Sequence, residues 1–161
     1  MPPLTLHRMS QCHHGRQPSS WPSLCTLPQV VMSVLSYAQP AMVREAVENI
    51  LRFAKLSTVV VHISKTSNYD YGEADRDMQW LHAEARVVIN PVRLPTRWGH
   101  GSLLAAHISN YRHMAAKHGP KWRQDGHFVL MADSARMISN GIEAYIQQRD
   151  GTVPHAQLDL K

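Results

Sequence analysis

Phe128-Val129-Leu130-Met131-Ala132-Asp133-Ser134 is the stretch that decides how this chain folds. An apolar run this short suits a strand better than a helix, and its lack of polar alternation leaves no wet face. It reads as a strand buried on both sides, as in a parallel sheet. Asp133-Ser134 then places a polar pair at the carboxyl end, where open α/β sheets hold their ligands.

Working outward, three more stretches have the same character: Val30-Val31-Met32-Ser33-Val34-Leu35, Thr58 to Ile63, and Arg86-Val87-Val88-Ile89. Helical patterns separate them. Pro40 suits a first helical turn, and Val43, Val47, Ile50, Leu51 and Ala54 then share one face. A short helix is expected to end near Ala85. Gly101 to His118 has helical spacing, with Leu104, Ile108, Tyr111 and Ala115 on one face, and Gly119-Pro120 stops it. Asn140-Gly141-Ile142-Glu143 has the form of a capping box opening a last helix to Gln148. Strand and helix alternate four times. This predicts an α/β fold: a mostly parallel open sheet of about four strands, Rossmann-like, with helices on both faces. Residues 1–28, rich in Pro, Ser and His, are expected to be disordered. The domain is expected over 29–150, with a tail at 151–161.

The chain has 161 residues, 43% of them hydrophobic, enough for one domain with a core. The net charge is +5, but no run of Lys and Arg resembles a nucleic-acid arm, so no nucleic-acid partner is expected. No apolar run approaches a membrane span. Residues 1–28 lack the apolar h-region of a signal peptide. Cys12 and Cys25 make no disulfide framework. Cys12-His13-His14 lacks the ligand spacing of a zinc site, so no metal site is expected.

Several signatures are absent: GxGxxG after the first strand, GxxxxGK[ST], GxSxG and HExxH. Their absence argues against a dinucleotide fingerprint, a P-loop, a nucleophile elbow and a zincin helix. The candidate residues are those at the carboxyl ends of the strands: Ser36 and Tyr37, Ser64-Lys65-Thr66, Asn90 to Thr96, and Asp133 with Ser134. Lys65 or Arg97 offers a phosphate a cation. Trp98 either stacks on a base or sugar or packs against the sheet. Ser102 fits a helix cap. Asp133 serves either as a metal carboxylate or as a turn residue bonding nearby N–H groups. Capping accounts for Glu143 better than a role as a base.

Taken together, four segments resemble the amino-terminal half of core-2/I-branching-type glycosyltransferases. They are Val34-Leu35-Ser36-Tyr37, Val60 to Lys65, Arg97-Trp98-Gly99-His100-Gly101-Ser102-Leu103, and Phe128 to Ser134. The resemblance covers roughly residues 29–148, and the Trp-Gly-x-x-Ser element is its most specific part. It implies a GT-A domain whose first half binds a nucleotide sugar, UDP-linked, without a metal cofactor. The acceptor would be a glycan or glycoprotein. It implies donor-binding roles for Ser36, Tyr37, Lys65, Arg97, Trp98, Asp133 and Ser134, and a Golgi or secretory setting. The chain departs from the family pattern: no Pro follows Asp133-Ser134, and the second strand ends in Ser64 where an Asp is usual. On this reading the chain stops near the middle of the expected domain, so no catalytic base is assigned and little activity is expected. The alternative is a non-catalytic α/β module that binds a nucleotide or a protein.

Overall fold

The computed structural model describes residues 30–149, positions 38, 70 and 73 aside. The expectations for residues 1–28 and 151–161, Cys12 and Cys25 included, lie outside the described residues. The element order is β1 (Val30–Ser36), α1 (Pro40–Phe53), β2 (Thr58–Ile63), α2 (Arg76–Ala83), β3 (Val87–Ile89), α3 (Ser102–His118), α4 (Pro120–Asp125), β4 (His127–Ala132) and α5 (Ile142–Arg149). The four strands form one sheet in the order β3-β2-β1-β4. Every pairing is parallel, so the expected α/β class is the observed one.

Strand alternation sends successive side chains to opposite faces, and both faces are covered. Val30, Met32 and Val34 of β1, with Val59, Val61 and Ile63 of β2, meet Val43, Val47, Ile50 and Leu51 of α1 and Met78 and Leu81 of α2. Ile142 and Ile146 of α5 join that core. Val31 and Val60 point the other way, to Met114 and Ala115 of α3 and Trp122 of α4. There Trp122, Tyr111 and Phe128 pack with tilted and edge-on rings 5.5–6.4 Å apart, a favoured aromatic geometry.

Two helix ends are tied by side chains. Asp75 caps α2 by accepting from the N–H groups of Asp77 and Met78. Arg86 donates to the carbonyls of Leu51, Ala54 and Lys55, satisfying acceptors that α1 leaves open at its carboxyl end.

Five expectations need correction. The strand expected to be buried on both sides, β4, is an edge strand with no fully buried residue, Leu130 being 53% exposed, because no further strand covers its outer side among the described residues. The α3 face proposed from Leu104, Ile108, Tyr111 and Ala115 is rotated: Leu104 is 57% exposed, while Ala106, Asn110, Met114 and Ala115 are buried. Polar Asn110 faces inward because the sheet beneath it carries partners. Gly119, at φ 82°, does end α3, but Pro120 opens the additional helix α4. Ser102 does not cap α3; Gly101 holds that position, and Ser102 Oγ accepts from the Arg97 N–H. Glu143 makes no capping box. Its carboxylate accepts from Leu56 N–H and Ser57 Oγ, holding α5 to the α1–β2 turn.

Candidate functional site

The strand order makes β1 the turning point of the chain. From β1 it steps outward through β2 to β3, then returns to lay β4 on the other side of β1. The helices after β1 and β2 lie on one face and α3 on the other. β1 and β4 lie side by side where the strand order reverses, and the carboxyl ends there are the usual ligand position in such sheets. An open depression of about 390 Å³ lies there, lined by Tyr37, Gln39, Met42, Asn68, Tyr69 and Asp133.

Asp133 lines it from the end of β4. One oxygen, Oδ2, accepts from the Tyr37 N–H at 3.2 Å and from Ser36 Oγ at 3.3 Å. This ties the ends of β1 and β4 together. Oδ1 has no partner among the described residues. Tyr37 donates its hydroxyl to the Thr66 carbonyl at 2.8 Å, and Ser67 Oγ donates to the Tyr37 carbonyl at 3.2 Å. Both bonds fix the Tyr37 segment against the loop after β2. Tyr37 and Tyr69 remain 48% and 44% exposed.

The belt continues across the sheet. Thr66 Oγ1 donates to the Thr96 carbonyl, and Ser64 Oγ accepts from Thr96 N–H. Arg93 donates to the Ser64 carbonyl. The loops after β1, β2 and β3 thus form one hydrogen-bonded rim.

Of the residues singled out in the sequence, Ser36, Tyr37 and Asp133 come together. Ser134 follows Asp133 and is exposed. Lys65 lies on the rim beside Thr66, its side chain exposed and its N–H donating to the Leu94 carbonyl. Arg97 and Trp98 do not line the depression; Trp98 does not pack on the sheet either, being 93% exposed. Gln39, Met42, Asn68 and Tyr69 were missed. They sit in loops and on the outward side of α1, and nothing in their local pattern announces a wall. Asp133 as a turn residue is partly right: it bonds backbone N–H, but across the sheet. Among the described residues no group of three or more His, Cys, Asp or Glu could hold a metal ion.

A second polar cluster lies under α3. Asn110 donates to Ser33 Oγ at 3.0 Å and accepts from Asn90 Nδ2 at 2.9 Å. His107 Nδ1 meets Ser33 Oγ at 2.8 Å. His62 is fully buried, accepts the Leu94 N–H on Nε2, and leaves Nδ1 unpartnered among the described residues. Burial holds the His107 imidazole down at about 4, and His62 adds repulsion. Burial also lowers His62, with the Arg93 charge contributing. Both are neutral near pH 7 and serve the packing of α3 on the sheet.

No family model matches this sequence, and no curated protein matches it. No helix among the described residues is long and apolar enough to cross a membrane.

Proposed function

We propose that this chain binds the nucleoside diphosphate of a sugar nucleotide, UDP-linked, in the β1–β4 crevice. It then contributes the donor site of a transferase that moves the sugar to a glycan or protein hydroxyl. The observation that carries this reading is the combination at the crevice of Tyr37 and Tyr69, half exposed, with Asp133 between the strand ends. A planar base suits the two rings. The second Asp133 oxygen suits a ribose hydroxyl. Lys65, exposed beside Thr66, offers a cation that suits the diphosphate. No residue of this chain is assigned as the base that would activate the acceptor, and no metal is required by the reading.

A non-catalytic nucleotide-binding module is the second reading. It is favoured by Asp133 being, among the described residues, the one carboxylate that lines the depression, and by that carboxylate being tied to Ser36 and Tyr37.

Thermal unfolding with UDP, UDP-N-acetylglucosamine, UDP-xylose and AMP separates these readings from simple structural roles. A ligand at one hundred times its Kd stabilises by ~2.7 kcal/mol. The UDP compounds should raise Tm and AMP should not. Asp133→Ala should abolish that shift, and Tyr69→Ala should reduce it. No shift with any UDP compound sinks both nucleotide readings. A shift without release or transfer of sugar favours the module.

A further inference from the structure

Arg97 and Trp98 are left unused by the crevice, and their surroundings have a charge pattern of their own. From residue 85 to residue 124 the chain contains no Asp or Glu; Asp125 closes α4. Arg97, Arg112, Lys117 and Arg123 are exposed along the loop ahead of α3, along α3 and on α4. The other described acids lie elsewhere. Glu45, Glu48, Asp75, Asp77 and Glu84 belong to α1, α2 and their ends, Glu143 to α5, and Asp133 to the crevice. Positive charge therefore collects on one layer of a molecule whose net charge is only +5.

That layer also presents apolar groups beside the cations. Val92 is 52% exposed, Leu104 57% and Trp98 93%. Trp98 stands out on an ordered turn. The Arg97 N–H donates to Ser102 Oγ at 2.9 Å, the His100 N–H donates to the Arg97 carbonyl at 3.2 Å, and Gly99 takes φ 69° to reverse the chain. The backbone thus holds the indole in solvent. An indole with an apolar body and a polar N–H suits the interface between lipid headgroups and acyl chains. Basic side chains next to it suit anionic headgroups. Val92 and Leu104 add aliphatic surface that lipid accepts and that cannot stack on a nucleobase, so a lipid surface fits better than single-stranded nucleic acid.

We propose that the loop at 91–101 and the exposed side of α3 dock peripherally on an anionic membrane surface. Trp98 and Leu104 enter the headgroup region, and Arg97, Arg112 and Lys117 face anionic lipids. The proposal is independent of the nucleotide reading, since none of these residues lines the crevice.

Vesicle sedimentation with the full chain tests it, using phosphatidylcholine alone and phosphatidylcholine mixed with phosphatidylserine. Binding is expected to the mixed vesicles, falling with added salt. Trp98→Ala should lower partitioning roughly tenfold, and Arg112→Ala or Lys117→Ala about fivefold each. Lys55→Ala, in the turn between α1 and β2, should change nothing. All these side chains are exposed, and unchanged melting of each variant confirms that it folds. Equal binding to pure phosphatidylcholine, no binding to either vesicle, or binding indifferent to Trp98→Ala and Arg112→Ala overturns the proposal. Tighter retention of polyuridylate than of mixed vesicles at the same salt also overturns it and reassigns the layer to nucleic acid.

Discussion

Asn110 shows how much one side chain decides. It sits mid-helix, fully buried, and its amide serves Ser33 on β1, the Val60 carbonyl on β2 and Asn90 after β3. A buried amide is tolerated only when its groups are matched. Removing it strands the partners as well as opening a void. Asn110→Ala should therefore destabilise by about 2–4 kcal/mol, read from urea unfolding midpoints. A loss well below 1 kcal/mol would mean that water replaces the amide. Asp133 was legible in the sequence as the polar end of an apolar strand, although that strand is an edge and not buried on both sides. Asn110 was not, because the same residue on a helix surface looks identical in sequence.

At the scale of elements, the packing of α3 on the sheet depends on pH. His107 lies on the inner side of α3 against Ser33, with His62 of β2 nearby and Arg93 acting on His62. No carboxylate on β1, β2 or α3 offsets them. The His107 imidazole is held at about 4, below its ordinary 6.5. The unfolded chain therefore binds more protons between those values. The stabilisation is full above pH 6.5 and is lost as pH falls to about 4. At ~1.36 kcal/mol per unit, and discounted for solvent screening of this part-buried ring, this amounts to about 1–2 kcal/mol. His107→Gln keeps a polar partner for Ser33 and removes the titration. Urea unfolding followed from pH 7.5 to pH 4 should fall more steeply for the native chain than for the variant; parallel curves would refute the assignment. The existence of α3 was readable from Gly101 to Gly119. Its rotation was not, because the helix carries both Leu104–Ile108–Tyr111 and Ala106–Asn110–Met114 as candidate stripes, and the polar floor of Ser33 and His62 selects the second.

Across the whole molecule, β1 is the strand on which both layers depend. It pairs with β2 and with β4, and buries side chains in both cores. β3 and β4 are the edges. On the α3 side β4 leaves Leu130 53% exposed, so its carboxyl half is less covered than β1. Native-state hydrogen exchange should protect the amides of β1 and β2 longest and release those of β3 and β4 earlier. Slower exchange in β4 than in β1 would show that the open edge is covered in solution.

The sequence by itself determined the strands, most of the helices and the parallel α/β class. Those follow from local periodicity: buried runs of Val, Ile and Met separated by helical stripes can be satisfied in few other ways. It also pointed to Ser36, Tyr37 and Asp133 as residues at strand ends. That these three meet follows from the sheet order of the tertiary structure alone, because their contact depends on β4 pairing with β1 although Ser36 and Asp133 are 97 positions apart in the chain. The walls supplied by Gln39, Asn68 and Tyr69, the burial of His62, His107 and Asn110, and the exposure of Trp98 were decided there too. Each depends on which surfaces the sheet order brings face to face, and local spacing carries no record of that order.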